Sequence, residues 1–515
     1  MFYSKVAFKG WVCGRISVAI ITLTFLSGCM VGPNYIRPTA KVPPKYKEVE
    51  GWKVAEPKDD IIRGAWWEVF NDPKLNALEA EVNISNQNIV VAEAQYRQAR
   101  ELVQAARATY FPIVTAASSY SRSRSSSHAP FASSTPVRAI SDYLLSGDAS
   151  WELDLWGKLR RLVASARASA QASAANFEVV RLSAQAELAQ DYFQLRDLDA
   201  QKQLLDATVA VYEKFLALTR NRYKNGIVSE ADVLQAETQL KTTQAQAIDI
   251  GVQRAQLEHA IALLAGKPAS VFSITALEFN VTPPAIPLSL PSELLERRPD
   301  IAAAERQVAA ANEQIGVAVA AYFPTVTLTA SGGVEAADFY KWLAWGSRLW
   351  GMGPMVSETV FDAGLRGAQT AEARAIYDAN VATYRQTVLT AFQEIEDNLA
   401  ALRILEQEGK VQDEAVKVAQ QSLAITNNQY KAGTATALDV IITQAIALNS
   451  QRNAVDISSR RMVASVLLIK ALGGGWKALE LPTPKELNSN KNLMQISENN
   501  IEKNRVQNST GQSSK

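Results

Sequence analysis

Two acidic residues have the spacing at which paired carboxylates can act as a general acid and a general base. Glu152 and Asp154 are two positions apart in a segment that alternates between apolar and polar residues, so both lie on one face of a predicted strand. The 515-residue sequence has two Cys, two His and no GxSxG, P-loop, HExxH or CxxC motif. We therefore interpret these acids, together with Asp148, as solvated charges. We expect no enzymatic activity, no metal site and no cofactor.

The overall composition is that of a folded protein without a strongly charged face. Hydrophobic residues make up 47% of the chain and charged residues 20%, and the formal net charge is +1. Nucleic-acid binding usually requires a basic surface, so we expect no nucleic-acid partner.

Residues 1–28 have the organisation of a signal peptide. Three basic side chains precede an apolar run, Ile16–Leu26, which is about half the roughly 20 residues that a membrane-spanning helix needs. The run ends in Leu26-Ser27-Gly28-Cys29, which has the pattern of a lipobox. We predict that Cys29 becomes the lipidated N-terminus of the mature chain. The alternative is a plain secretory signal in which Cys29 is incidental.

The chain contains two copies of one pattern. Tyr110-Phe111-Pro112 recurs 212 residues later as Tyr322-Phe323-Pro324, and Tyr223–Gly226 recurs 207 residues later as Tyr430–Gly433. A segment with four prolines between Val281 and Pro291 separates the copies. The sequence therefore predicts two tandem repeats. Our domain boundaries are an N-terminal lipidated segment 29–71, repeat 1 at 72–264, a link at 265–291, repeat 2 at 292–472 and a polar tail at 473–515.

Each repeat contains the same series of predicted elements. A helical stretch ends before a proline, a β-hairpin follows, and a very long helix leads through a Gly-containing turn to a return helix. The predicted bounds are 73–110, 113–156, 158–222 and 229–264 in repeat 1, and 292–322, 325–361, 365–430 and 436–472 in repeat 2. About 65 helical residues form a rod of roughly 100 Å, which no compact domain requires.

The hairpins carry the evidence for a membrane-embedded sheet. Between Leu145 and Leu155 apolar residues alternate with polar ones, and the segment Thr325–Ser331 does the same. This pattern is typical of a barrel strand with lipid outside and water inside. Trp342, Trp345 and Trp350 cluster near the second hairpin, as aromatic girdles do. A sheet on a soluble core would also alternate, so strand pattern alone leaves both readings open.

Counting the strands favours the barrel. Two hairpins give four strands, and open sheet edges in hydrocarbon leave backbone groups without hydrogen bonds. Bacterial barrels have at least about eight strands, and three copies of this chain would supply twelve. On this reading Asp148, Glu152 and Asp154 face the lumen. The predicted fold is mainly α with a transmembrane β part: a trimeric 12-stranded β-barrel continuous with a long 12-helix α-barrel.

The turns after the two long helices have helix-capping sequences. Ser229 to Asp232 and Thr436 to Asp439 each fit a capping box with Asp at the third helical position. We interpret Ser229 and Thr436 as structural. Asp439 has a second possible role, because three copies of it around a narrow tube would attract cations.

Several motifs resemble efflux outer-membrane lipoproteins of the NodT/OprM type, in the TolC-like outer membrane factor family. Met30 follows Cys29 where an Asp would retain many lipoproteins at the inner membrane. The matching motifs reach from Cys29 to about Gly473. They are Cys29–Pro38 (CMVGPNYIRP), Trp66–Leu75 (WWEVFNDPKL), Leu290–Glu305 (LPSELLERRPDIAAAE), Tyr322–Pro324 and Phe361–Gly364.

The resemblance implies a lipid-anchored homotrimer in the outer membrane that extends into the periplasm. It implies a periplasmic adaptor protein that opens the closed tip, and an inner-membrane pump, often of the resistance-nodulation-division class, that supplies the energy. The adaptor-docking turns would be Tyr223 to Gly226 and Tyr430 to Gly433. The implied activity is passive exit of drugs or other small molecules.

The same resemblance implies a periplasmic gate. Asp439 matches one acid of the constriction, and Tyr430 matches a tyrosine of the closing network. This sequence departs from the pattern at two positions: Ile442 replaces a second acid, and Ala435 replaces an arginine. We therefore predict a more apolar seal at Ile442.

Two other functions remain as alternatives. A type I secretion exit duct has the same architecture and a polypeptide cargo. A periplasmic coiled-coil scaffold lipoprotein would have no pore and would require the hairpins to form a soluble sheet.

Overall fold

The computed structural model describes residues 30–48, 65–124, 126, 138–276, 283–284, 286 and 294–488. The predicted signal peptide and Cys29 lie outside these residues, as do most of the proline-rich link and the chain from residue 489 onward. None of the described helices is both long and apolar enough to span a membrane.

Both repeats have short helices, a β-hairpin, a very long helix and a return helix. Those of the first repeat are α1 (Pro73–Ser85), α2 (Gln87–Ala108), β1 (Ile113–Ser123), β2 (Ile140–Leu153), α3 (Lys158–Lys224) and α4 (Glu230–Leu264). Those of the second are α5 (Leu294–Arg297), α6 (Pro299–Ala320), β3 (Thr325–Ala336), β4 (Arg348–Ser357), α7 (Leu365–Ala432) and α8 (Ala437–Ala471). A last short helix, α9, spans Pro484–Leu487.

The helical stretches before the hairpins are interrupted, which corrects the predicted bounds. The stretch predicted at 73–110 is two helices, because Asn86 ends α1 and its side chain accepts hydrogen bonds from the first backbone N–H groups of α2. The same side chain donates to the Leu264 carbonyl oxygen at 2.9 Å, so the break is fixed by the return helix. The stretch predicted at 292–322 has its main helix starting at Pro299, whose ring suits the first helical position.

The long helices are α3 with 67 residues and α7 with 68, so each extends for about 100 Å. The main hydrophobic core lies where both cross the return helix α8 and the N-terminal helix α1. The core includes Tyr192 and Phe193 of α3, Ile395 of α7 and Val466 of α8, all fully buried. In α7, Val388, Ile395 and Leu402 recur every seven residues and are buried against this core, and Val381, seven residues earlier, is partly buried. The rods are therefore held together near their middle.

The four strands form one antiparallel sheet in the order β1-β2-β3-β4. Because β2 pairs with β3, the two hairpins of the two repeats make one continuous sheet. Strands β1 and β4 lie at its two edges.

The register of the sheet separates two faces. Side chains of paired residues lie on the same side, so the pairs Trp151–Leu328 and Leu328–Pro354 place these three residues together. One face is mostly apolar and includes Val114, Ala116, Leu145, Ala149, Trp151, Val326, Leu328, Val334, Trp350, Met352 and Val356. The other is mostly polar and includes Thr115, Ser119, Ser146, Asp148, Ser150, Glu152, Thr325, Thr327, Thr329 and Ser331. The alternation of apolar and polar residues in β1 is weak in the sequence, but the pairing of β1 with β2 shows which of its side chains lie on each face.

The N-terminal segment 30–48 is fixed to the helices. Arg161 of α3, whose side chain is 1% exposed, forms a 2.8 Å ion pair with Glu313 of α6. The same guanidinium donates to the carbonyl oxygens of Val31 and Gly32 at 3.2 and 3.1 Å. A buried charge requires an opposite charge and hydrogen-bond partners, and Arg161 has both. This network therefore joins the first described residues to the start of α3.

Candidate functional site

Each long helix ends at a turn with the same local geometry. Gly226 and Gly433 have positive φ values of 71° and 81°, which glycine adopts without strain. Both predicted capping boxes are present and are therefore confirmed. In the second, the Thr436 backbone N–H and hydroxyl donate to the Asp439 carboxylate, which lowers the pKa of Asp439 below its usual range. Asp439 is thus charged and exposed at the start of α8.

The two turn tyrosines have different environments. Tyr223 is 45% exposed, whereas Tyr430 is 3% exposed and belongs to a core cluster with Tyr212, Phe215 and Leu216 of α3. The Tyr430 ring lies 5.2 Å from the Phe215 ring, and its hydroxyl lies 3.3 Å from the Thr219 hydroxyl. Tyr430 therefore joins α7 to α3, and Tyr223 remains available at the surface of the described protomer.

Arg222 completes this junction and was missed by the sequence analysis. Its guanidinium carbon lies 4.3 Å from the centroid of the Tyr430 ring, within the range of a cation–π interaction. It also donates to the backbone oxygens of Tyr430 and Lys431 at 3.0 and 3.3 Å. A basic residue in the last turn of α3 was the available signal, but only tertiary contact shows that it caps the neighbouring helix α7.

Asp439 and Ile442 lie together at the start of α8. They are three residues apart on one helix, so their side chains are neighbours on one face. Ile442 is 47% exposed in the protomer, and Ala435 packs against the Tyr430 cluster. The structure thus brings Tyr430, Asp439 and Ile442 to one end of the molecule, with Tyr430 inside the protomer and the other two on its surface.

The three acids predicted to face a lumen have different surroundings. Asp148 and Glu152 lie on the polar face of the sheet. Glu152 also forms a 3.0 Å ion pair with Lys158. The prediction of a solvated, lumen-facing charge is wrong for Asp154, whose side chain is 14% exposed. It accepts hydrogen bonds from the Leu159 and Arg160 backbone N–H groups, because the free amides at the start of α3 attract an acid.

The first described residues lie at the junction of sheet and helices. The Val31 backbone N–H donates to the Trp156 carbonyl oxygen at 3.1 Å. The Trp156 ring stacks on Phe323 with centroids 4.9 Å apart, and its indole N–H donates to the Pro324 oxygen at 2.7 Å. The residue before Met30 is Cys29, so the chain enters the described structure beside this aromatic pair.

No metal centre is evident across the described ranges, since no three His, Cys, Asp or Glu side chains there converge in a suitable cluster.

The architecture defines a class of protein: a two-repeat, mainly helical chain with rods of about 100 Å and a four-stranded sheet that has one apolar face. The profile of the outer membrane efflux protein family matches residues 78–267 and 290–474, more than half of the chain. The chain belongs to this family.

Similarity to individual proteins supports the family assignment. The chain is 29% identical over 458 residues to the toluene efflux pump outer membrane protein TtgC of Pseudomonas putida, a match that covers 88% of this chain and 94% of TtgC. It is 30% identical over 420 residues to the pyoverdine export outer membrane protein OpmQ of Pseudomonas aeruginosa, which covers 80% and 88% of the two chains. Among solved structures, the outer-membrane channel OprN superposes with a TM-score of 0.81 at 28% identity, covering 87% of this chain and all of OprN.

Proposed function

We propose that this protein is the outer-membrane channel of a tripartite efflux system, a passive exit duct for small molecules. It works as a homotrimer, is opened by a periplasmic adaptor and is driven by an inner-membrane pump. The observation that carries this proposal is that the sheet has an apolar and a polar face, while its edge strands β1 and β4 have no second neighbouring strand among the residues that the structure describes.

The trimer follows from the energetics of sheet edges in lipid. Each unsatisfied backbone group in hydrocarbon costs several kcal/mol, so an edge of ten or more residues cannot face lipid. Pairing β4 of one copy with β1 of the next removes both edges, and three copies give the twelve strands of a closed barrel. The helices then continue coaxially as a periplasmic tube.

The polar face supports a water-filled lumen. All four acidic side chains within the strands lie on it, namely Asp142, Asp148, Glu152 and Glu335. Twelve such acids in a trimer make the lumen favour cations over anions, and an expected outcome is cation-selective conductance in planar bilayers. Dimers, or a protein that never conducts, would contradict the proposal and favour a scaffold.

We further propose that Cys29 carries the lipid. Its neighbour Met30 packs against Gly157, directly where the sheet meets the helices, and acyl chains attached there would enter the inner leaflet. The test is metabolic labelling with radioactive palmitate: Cys29→Ser should lose the label, while Cys13→Ser should keep it. A label retained by the Cys29 variant would overturn this assignment.

The gate combines a clamp with a constriction. Arg222 and Tyr430 hold the end of α7 against α3, so the return helix α8 presents Asp439 and Ile442 toward the trimer axis. Three Ile442 side chains would seal the tip by contact, and three Asp439 carboxylates would surround the seal. The turns Tyr223 to Gly226 and Tyr430 to Gly433 are the surface that an adaptor engages.

The gate is tested by Ile442→Asp. We expect the substitution to replace the apolar seal by a second ring of acids, to raise closed-state conductance and to create block by divalent cations. Leu234→Asp, at an exposed leucine near the start of the return helix α4 in repeat 1, is the matched control. Unchanged conductance and unchanged cation block in the Ile442 variant would count against the apolar seal.

The cargo is best sought among small organic compounds, because the relatives are named for efflux of toluene and export of pyoverdine. Deleting the gene and measuring which compounds accumulate tests this. If no small compound accumulates but a secreted polypeptide is retained, the type I secretion alternative is correct.

A further inference from the structure

Charged side chains in the sheet are sorted by sign between its two faces. The strands contain six charged residues, of which the four acids lie on the polar face. The other two, Arg122 and Arg348, lie on the apolar face, because Arg122 pairs with Ser141 and Arg348 pairs with Val334. An arginine among lipid-facing residues is costly at the bilayer midplane, so its depth decides whether it is tolerated.

Each arginine lies at the end of its strand that is farthest from the helices: Arg122 is the second-last residue of β1, and Arg348 is the first residue of β4. Arg122 is eight residues beyond Val114 on β1, and Arg348 is eight residues before Val356 on β4. Eight residues extend about 27 Å along a strand, which is about 20 Å of bilayer height at the usual tilt of a barrel strand. This approaches the roughly 25 Å height of an apolar barrel band. Both guanidinium groups therefore lie at the headgroup level of the outward leaflet.

Aromatic side chains surround this level. Tyr120 and Tyr143 pack with ring centroids 4.7 Å apart, and Trp342 lies 6.3 Å from Tyr143. The guanidinium carbon of Arg348 lies 3.5 Å from the centroid of the Trp345 ring, which holds the charge at the surface. Aromatic rings and cations together are typical of a membrane–water interface.

The two arginines are available to a ligand, unlike the nearby lysine. In the part of the chain that the structure describes, neither Arg122 nor Arg348 forms an ion pair, and both are exposed. Lys341, in the loop between β3 and β4, is paired with Asp338 at 3.1 Å. No acidic side chain of the strands shares the face of the arginines, so an anion approaching from the lipid meets no repulsion there.

We propose that Arg122 and Arg348 bind the phosphate groups of an anionic lipid in the outward leaflet. The aromatic side chains described above, Tyr120, Tyr143, Trp342 and Trp345, contact the acyl and sugar parts of the same lipid. A planar guanidinium can donate two hydrogen bonds to one phosphate, which suits this ligand better than a zwitterionic headgroup. This inference rests on the proposed function, since it requires the apolar face to contact lipid. Its consequence is that phosphorylated lipid stabilises the trimer in its membrane.

Native mass spectrometry of the detergent-purified trimer tests the proposal. The probes are bisphosphorylated lipid A, monophosphorylated lipid A and phosphatidylcholine, each titrated separately. We expect the bisphosphorylated probe to bind tightest, and each Arg→Gln substitution to weaken it about fivefold. The double variant Arg122→Gln/Arg348→Gln should therefore bind about twenty-fivefold more weakly. Arg374→Gln removes one exposed charge from α7, outside the sheet, and should bind like the wild type.

Three results would overturn the inference: equal binding by the double variant, equal binding of phosphatidylcholine, or complete displacement of the lipid by millimolar inorganic phosphate. Conductance in planar bilayers separates this inference from the proposed function. A conducting double variant with unchanged lipid binding rejects the lipid site alone, whereas a wild type that neither conducts nor forms trimers rejects the channel itself. Arg122→Lys/Arg348→Lys keeps both charges but loses the bidentate geometry, so it should bind more weakly than the wild type and more tightly than the double Gln variant, which excludes loss through misfolding.

Discussion

The two helical turns have the same sequence pattern and the same local geometry but different roles. Both follow a long helix, both place glycine at positive φ, and both start the return helix with a capping box. Yet Tyr430 is buried against α3 and clamped by Arg222, while its repeat partner Tyr223 is exposed. The capping box depends only on residues next to each other in the chain, so it occurs in both repeats. The contact of Arg222 with Tyr430 depends on a neighbouring helix, and it occurs at the second turn.

The long helices show the same asymmetry along their length. Asp197 of α3 is 8% exposed, and the residue 207 positions later, Ile404 of α7, is 52% exposed. Duplicated sequence thus gave two rods of equal length, one central in the protomer and one more peripheral. Under the proposed gate, the second turn is therefore the one expected to hold the tip closed.

The largest expected difference is between Tyr430→Ala and Tyr223→Ala. Truncating a buried aromatic ring costs about 3 kcal/mol of unfolding free energy, while truncating an exposed one costs about 0.5 kcal/mol or less. Susceptibility to a large antibiotic that normally cannot cross the outer membrane should rise for Tyr430→Ala only. Equal phenotypes for the two variants would remove the distinction between the turns.

Arg222→Ala should weaken the clamp by about 2 kcal/mol, because it removes a cation–π contact and two hydrogen bonds to backbone oxygens. If the clamp favours the closed tip, the open population rises about thirtyfold. Single-channel recording measures this directly. Arg220→Ala is the matched control, since Arg220 forms an ion pair with Glu237 within repeat 1. An Arg222→Ala channel that is open no more often than the wild type would contradict the proposal that Arg222 favours the closed tip.

Asp197→Asn tests the difference in burial between the two long helices. Burial and, to a lesser extent, the charge of Asp456 raise the pKa of Asp197 to about 6. Since the folded pKa exceeds the unfolded value of about 3.9, the wild type loses stability as pH rises from about 4 through 6. The Asn variant should be more stable than the wild type by about 2 kcal/mol at pH 7.5 and should match it near pH 4.

Thermal unfolding at the two pH values measures this effect. Asp206→Asn, which alters an exposed acid paired with Lys202 on the same helix, should show no such pH dependence. An identical pH profile for wild type and Asp197→Asn would mean that folding does not raise the pKa of Asp197.

The smallest effect should be the same in both turns. Ser229→Ala and Thr436→Ala each remove a capping hydrogen bond to the backbone N–H of the third helical residue, at a cost of about 1 kcal/mol. Hydrogen exchange at the first turns of α4 and α8 reports the loss. A clearly larger effect at Thr436 would show that the cap, and not only the clamp, differs between the repeats.

What the sequence determined by itself was the order and type of the elements and the caps of the return helices. The two repeats, the long helices, the alternating strands and both capping boxes arise from local periodicity and local hydrogen bonding. The family motifs added the gate residues Tyr430, Asp439 and Ile442, whose roles remain predictions. For the weakly alternating strand β1, the sequence alone left the face undecided.

Only the tertiary structure decided which groups meet across the repeats. Asn86 breaks the first helical stretch because the end of α4 lies beside it, and Arg222 reaches an α7 residue 208 positions away. Asp154 faces the start of α3 and not the open face of the sheet, because the helix amides compete for its carboxylate. The contacts of Asn86 and Arg222 depend on how the helices pack, so no local pattern specifies them. Asp154 accepts from amides only five and six residues away, which is a local cap that the sequence analysis missed.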